Sequence, residues 1–343
     1  MIALLALLWL GVAAAADHWV VRQGDTVESV AAALGDPALA DPIRAANRLG
    51  PGQQPRVGDV LALPVVAGAQ QEGLVLAVRG SGTVVLPGEP TPGRPRAVPL
   101  APQMSLPEGS AVCTDAESFA MIRLARDTSG FAHDDVSLLP NTCLTVVGAS
   151  AQEGRRSSLI HMSEGSIAVQ GTPDRPGDVI VTTPEAVATG EQGGFRVTLE
   201  QGATRAEAVS APIAVMGAGA EVDLEAKQGT RVKAGAAPDA PRSLLSGGAL
   251  FLPEDGTALR WPDFRWAAVP RALGYRVQVS TSPDFAEIVH QVDVPFPEWM
   301  PDFLLLPTTA PAYWWRITPL DRFGFECVPS VGRKLSVPAE VAP

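Results

Sequence analysis

The stretch HWVVRQGDTVESVAAALGDPALADPIRAANRLGPGQQPRVGDVLALP, His18 to Pro64, decides how the N-terminal part of this chain folds. His18-Trp19-Val20-Val21-Arg22 is a short strand, and Gly24-Asp25-Thr26 turns it into a helix. Asp25 and Glu28 have the spacing of a capping box, in which each side chain satisfies a backbone donor at the helix start. Val27, Val30, Ala31 and Leu34 fall at i, i+3, i+4 and i+7, one apolar face. Gly35 then stops the helix. A second helix starts at Asp41, with Pro42 in its first turn where a missing N–H costs nothing, and runs to about Asn47. Val57-Gly58-Asp59 turns into a last strand, Val60 to Leu63, closed by Pro64. The expectation is a small βααβ unit.

Outward from this unit the pattern becomes purely β. The chain has 343 residues, with 33 Gly and 32 Pro spread among short apolar runs. That length predicts roughly two or three domains of about 100–150 residues each. After a linker from Val65 to Gly73, Leu74–Val78 and Gly80–Val85 are strands, and a proline-rich loop spans Leu86 to Pro102. Further strands are expected at Ala120–Leu124 and, twice, within Val136–Val147. Leu159–Met162 and Ser166–Val169 bracket an expected turn at Glu164-Gly165. Phe195-Val197-Leu199, Ala206-Ala208 and Val222-Leu224 alternate inward. Short strands at such spacing predict a sandwich, roll or β-solenoid. A Gly/Ala/Pro-rich linker, Gly235 to Gly248, precedes a last β region. There Trp266 points inward, Tyr275-Val277-Val279 alternate, and Tyr313, Trp315 and Ile317 alternate against Trp314, Arg316 and Thr318. An aromatic stripe at period two is core rather than a ligand platform.

The net charge is −11, and only three residues are Lys. With no basic patch to neutralise phosphates, no nucleic-acid partner is expected, and an anionic membrane surface is disfavoured for the same reason. The opening MIALLALLWLGVAAAADHW resembles a secretory leader. An apolar run, Ile2 to Val12, precedes an A-x-A site formed by Ala14 and Ala16. No Lys or Arg precedes the run, which is shorter than the ~20 residues a spanning helix needs. No later segment qualifies, so no integral membrane segment is expected and the mature chain is expected in the periplasm. Export permits disulfides. Cys113 and Cys143 flank a hairpin-like unit and are the expected pair. Cys327 is left as a small buried apolar residue.

Three resemblances follow from these motifs. Val21-Arg22-Gln23-Gly24-Asp25-Thr26, Asn47-Arg48-Leu49 and Val57-Gly58-Asp59-Val60-Leu61 together resemble the opening, middle and closing motifs of a LysM domain. Val27 replaces the usual Leu. The resemblance implies binding of N-acetylglucosamine-containing glycan, usually peptidoglycan, by Gly24, Asp25, Thr26, Val27, Asn47, Arg48 and Leu49. Helix capping and core packing account for several of these residues equally well. Residues 74–238 resemble a FecR-type domain. The matches are Val78 to Val84, Leu106-Pro107-Glu108-Gly109, Val136 to Pro140, Glu164 to Val169 and Thr183-Pro184-Glu185-Ala186, while Gly190 to Phe195 departs from the family pattern. In that family the region belongs to transmembrane regulators, whose membrane helix is missing here. The last region is similar to a fibronectin type III sandwich. The expected division is a leader at 1–16, a LysM unit at 17–64, a FecR-like all-β domain at 74–238 and a β-sandwich at 257–338.

No catalytic constellation emerges. The four histidines, His18, His133, His161 and His290, are scattered without H-E-x-x-H or H-x-H spacing, so no metal is expected. His161 and Glu164 straddle an expected strand end, and His133-Asp134-Asp135 reads as a polar loop. No G-x-S-x-G, S-x-x-K or phosphate-cradling loop is present. The resulting expectation is a non-enzymatic, cofactor-free protein that binds peptidoglycan and presents its β domains to another envelope protein. The alternative is an envelope sensor acting through a separate membrane partner, and a cell-wall hydrolase ranks below both.

Overall fold

Residues 18–62 run strand, helix, helix, strand in a computed structural model. The model describes residues 18–21, 24–33, 39–50, 52–62, 72–87, 97–125, 133–152, 155–171, 178–191, 194–258, 263–285, 287–301 and 312–336. The leader reading at 1–16, the helix stop at Leu34 and Gly35, and Leu63 and Pro64 lie outside these residues. His18–Val20 pairs antiparallel with Val60–Ala62, and the helices Val27–Ala33 and Ala40–Ala46 lie between them in the chain. The apolar face packs as its spacing requires. Val27, Val30 and Ala31 are fully buried against Trp19, Val21, Ile43 and Leu61.

The first helix is not capped by the expected Asp25–Glu28 box. Thr26 Oγ1 accepts the Ser29 N–H at 3.0 Å, and Ser29 Oγ accepts the Thr26 N–H at 2.8 Å. Asp25 Oδ2 instead accepts the indole N–H of Trp19 at 2.9 Å. A buried indole needs an acceptor, and a hydroxyl one position along satisfies the helix start as well as a carboxylate does. Glu28 is drawn to Arg44 and to the Gln54 amide, which donates to it at 3.1 Å.

The middle of the chain forms two sheets around one core. The first runs, neighbour to neighbour, through Ala97–Pro99, Gly82–Val85, Ala111–Thr114, Cys143–Gln152, Arg155–Gly171, Val179–Thr182, Val187–Gly190, Ile213–Gly217 and Ala220–Leu224. The second runs through Ser105–Pro107, Glu72–Arg79, Phe119–Ala125, His133–Leu138, Arg155–Gly171, Phe195–Glu200, Ala203–Ala208, Gln228–Lys233 and Arg242–Ser243. Val84, Val112, Leu144 and Val181 of the first sheet pack with Val75, Ile122, Leu138 and Val197 of the second in a single core. The architecture is therefore a sandwich.

Arg155–Gly171 belongs to both sheets, and this corrects the turn expected at Glu164-Gly165. Up to Glu164 the strand pairs with Cys143–Gln152, and from Gly165 it pairs with His133–Leu138 and Phe195–Glu200. Gly165 has φ +89°, and a Cβ there would lie 2.4 Å from Thr142 Oγ1 and 2.5 Å from the Asn141 carbonyl oxygen. The glycine permits a bend between sheets rather than a chain reversal, because only a residue without Cβ fits against the neighbouring backbone. Nearby, Cys113 and Cys143 are direct cross-strand partners and form the expected disulfide. Their sequence separation of 30 corresponds to a stabilisation of about 3–4 kcal/mol on the chain-entropy account.

The C-terminal region builds a three-stranded sheet, Leu250–Leu252, Phe264–Trp266 and Glu298–Trp299. A five-stranded sheet contains Thr257–Ala258, Arg333–Ser336, Ala312–Asp321, Ala272–Ser280 and Ile288–Val294. Phe264, Trp266, Tyr275, Tyr313 and Trp315 form its core, as the period-two stripe predicts. Phe264 stacks on Trp299 with ring centroids 4.9 Å apart. Trp314 stays partly exposed, with the Lys334 ammonium 6.0 Å from its ring centre.

Residues 235–248 do not act as the free linker their composition suggests. Arg242–Ser243 pairs with Gln228–Lys233, and Leu244 packs with Phe325 and Cys327. One bulky apolar side chain and a few backbone bonds are enough to hold a Gly/Ala-rich segment to its neighbours. Among the described residues, no helix is long and apolar enough to cross a membrane.

Candidate functional site

The seven residues implicated by the N-terminal motifs divide by role. Val27 is fully buried in the core, and Leu49 packs on its edge. Asn47 closes the unit: its amide donates to the Ile43 and Ala62 carbonyls at 2.8 and 2.7 Å, and its Oδ1 accepts the Ala62 N–H at 2.7 Å. Thr26 is committed to capping, and Asp25 to the Trp19 indole. Gly24, at φ +92°, and Arg48, at φ +55°, are the two exposed members. Both have left-handed backbone: Gly24 precedes the first helix and Arg48 follows the C-cap of the second, where it holds that conformation at some cost.

One residue missing from the motif reading joins the two loops. Gln54 Oε1 accepts the Val27 N–H at 3.0 Å while its amide donates to Glu28. The loop after the second helix is thereby tied to the start of the first. A lone glutamine in a Gly/Pro/Gln loop carries no sequence signal for such a bridge.

Of the residues weighed for catalysis, His161, Asp134 and Asp135 have structural partners. His161 Nδ1 lies 3.0 Å from the Thr182 hydroxyl, and Glu164 is exposed on the same strand. Asp134 is fully buried and accepts the Ser158 hydroxyl at 2.7 Å. Asp135 takes both arms of Arg123 at 2.7 and 2.8 Å. Among the described residues, no three His, Cys, Asp or Glu converge as a metal site would require.

The densest chemistry lies elsewhere, on the seam between the middle sandwich and the C-terminal unit. Phe195, Val197 and Leu199 point into the sandwich core, yet Arg196 and Thr198 on the opposite face of that strand are buried as well. The C-terminal unit covers them. Arg196 Nη1 donates to the Glu326 carbonyl at 2.5 Å and sits 3.4 Å from Glu326 Oε1. Glu326 Oε2 receives Arg276, whose other donors grip Asp293 at 2.8 and 2.9 Å. Burial alone would raise the Glu326 carboxyl. The Arg196, Arg276 and Arg316 guanidinium groups outweigh it and hold the value below the usual carboxylate range.

Glu207 sits behind this pair, fully buried, and neither carboxyl oxygen has a hydrogen bond of full geometry. Burial pushes it up to about 7; Arg196 and Arg205 pull it down and Glu326 pushes it further up. Its folded value exceeds its ordinary 4.5, so the folded state keeps the proton longer and stability falls as pH rises from 4.5 to about 7. Glu207→Gln should flatten that decline. Urea midpoints at pH 5, 6, 7 and 8 for both proteins test this, and parallel pH profiles would refute it. Cys327, beside this cluster, is fully buried, and burial pushes its thiol up to about 12.

No family model and no curated protein match this chain. It is similar to two crystal structures from Parabacteroides distasonis, each described as an anti-sigma factor, at 15% and 14% identity. Each match covers 39% of this chain and 59% of the other, with a TM-score of 0.31. The chain thus spans less than two thirds of that protein's length, and a likeness this slight carries no conclusion about fold or function.

Proposed function

We propose that this chain is a non-enzymatic, exported protein tethered to peptidoglycan by its N-terminal unit. Its two β units then form a joint surface for another envelope protein. The observation that carries the tether is the pre-assembled pair of loops. Hydrogen bonds from Gln54 and Asn47 tie residues 24–28, 47–50 and 52–54 to the unit's own backbone, leaving Gly24 and Arg48 exposed. A shallow groove for N-acetylglucosamine-containing glycan needs this kind of rigid backbone, because ordering loops on binding costs affinity. This is also what the LysM-like motifs at 21–26, 47–49 and 57–61 imply, and the FecR-like and fibronectin-like resemblances supply the scaffold reading of the β units. For the partner surface, Phe251, Leu273, Phe296 and Met300 are large apolar side chains exposed on the C-terminal unit and available to a partner.

Purified sacculi test the tether. The intact protein should pellet with them, and a form lacking residues 17–64 should stay in the supernatant, a loss of more than about tenfold in the bound fraction. Equal pelleting of the two forms would defeat the proposal, and release of muropeptides would favour a hydrolase. A second reading, an envelope sensor acting through a separate membrane protein, is favoured by the seam. Two units joined through buried charges form an element that a ligand or partner could bias.

A further inference from the structure

The seam contains a cavity of about 260 Å³ with Arg316, a cation in no ion pair among the described residues, in its wall. From the sandwich it is walled by Met121, Ser137 and Val209, and from the C-terminal unit by Phe285, Arg316 and Pro329. Four charged residues line it. Asp135 is neutralised by Arg123, Arg196 is engaged by Glu326, and the Asp284 carboxylate attracts Arg316 through space. Arg316 differs. Its Nε donates to the Gln278 side-chain oxygen at 2.9 Å, and its guanidinium carbon lies 4.1 Å from the centre of the Phe285 ring. No ion pair involving it occurs among the described residues. Burial, then the nearby charge of Arg196, lowers its pKa to about 10, with Glu326 and Asp284 opposing. Arg316 is half-buried, and a partly desolvated cation gains from a direct anionic partner, which its Nη groups beside the cavity do not have among the described residues.

We propose that this cavity binds a small monocarboxylate with an apolar body, its carboxylate anchored by Arg316 and its body held against Met121, Val209 and Phe285. A single guanidinium without an ion pair, with Asp284 also in the wall, favours a monoanion over a phosphate dianion. The planar guanidinium matches a carboxylate with two parallel donors, and the Phe285 ring holds that plane in place. The volume lies just below the ~300 Å³ at which drug-sized pockets begin, so the ligand is small. The site is independent of the glycan-binding reading. Because it spans both units, its occupancy would tie them together.

Calorimetric titration of the intact protein with benzoate and butyrate tests the proposal, with benzamide and inorganic phosphate as controls. Saturable binding of a carboxylate is expected, with benzamide and phosphate at least about tenfold weaker. Arg316→Gln should lose about tenfold or more, and Arg316→Lys should fall between, since an ammonium keeps the charge but not the stacked fork. Should the Arg316 variants fail to fold, Val209→Phe fills the cavity without touching the cation and should also abolish binding. Absence of saturable carboxylate binding by the wild-type protein overturns the proposal. So does benzamide binding as well as benzoate, or full binding in either folded Arg316→Gln or Val209→Phe. Tighter binding of phosphate than of either carboxylate would overturn the assignment of ligand class. A free acid and a peptide C-terminus share this chemistry; an apolar tripeptide with a free or amidated C-terminus separates them.

Discussion

Arg196→Ala should lower the stability of the intact protein by about 3–5 kcal/mol, the usual cost of breaking a buried ion pair from one side. Arg196 and Glu326 expose only 6% and 9% of their side chains, so water cannot compensate for the missing guanidinium. Glu326 would keep Arg276, but Glu207 would lose the strongest of the charges that favour its ionised form. The damage falls on the seam rather than on either core. Calorimetry should therefore show the C-terminal unit melting ahead of the sandwich, as a separate transition. Arg196→Lys should lose less, because it keeps a charge near Glu326 while giving up the reach of Nη1 to the Glu326 carbonyl and carboxylate. A change under about 1 kcal/mol in the Ala variant would mean that the cluster only balances its own desolvation.

Gly165→Val should cost about 4 kcal/mol, combining a β-branched residue at positive φ with atoms forced into a filled space. A Cβ at this position overlaps the Thr142 hydroxyl and the Asn141 backbone, and Thr142 has little room to retreat. Its hydroxyl accepts the Ser166 N–H at 2.9 Å, and its own N–H reaches Thr114 Oγ1 at 3.1 Å. The strand must bend at this point to serve both sheets, so the variant disturbs the register of both. Guanidinium denaturation should show a lower midpoint. Gly202→Ala makes a control, since its φ of +73° strains the backbone but nothing lies within 4 Å of the added carbon. Equal losses in the two variants would show that backbone strain, not the close approach to Thr142, explains the effect.

Local features were legible without coordinates. Spacing alone identified the buried face of the first helix, the inward tryptophan at 266, the pairing of Cys113 with Cys143 and the mainly β character after residue 74. Each depends on neighbours in the chain or on a periodicity of 2 or 3.6, which a sequence states directly. Capping was less legible. Asp25 and Thr26 are both suitable caps, and the choice between them turned on Trp19, six residues away in the chain. The Glu164-Gly165 pair failed for a related reason. A glycine at positive φ between two strands serves a turn and a sheet-to-sheet bend alike, and only the partner strands distinguish them.

The sequence by itself determined the mainly β character and the inward faces of the strands and of the first helix, because side-chain periodicity suffices for these. Only the tertiary structure decided that the Gly/Ala-rich segment before residue 249 joins two units, and that the outer face of Phe195–Glu200 is covered. It also decided that Arg196, Glu207, Arg276, Arg316 and Glu326 converge. Arg196 and Glu326 are separated by 130 residues along the chain, and each alone looks like an ordinary solvated charge. Their burial comes from the loop after Ala312–Asp321 closing over the outer face of Phe195–Glu200, a contact between surfaces that no local pattern encodes.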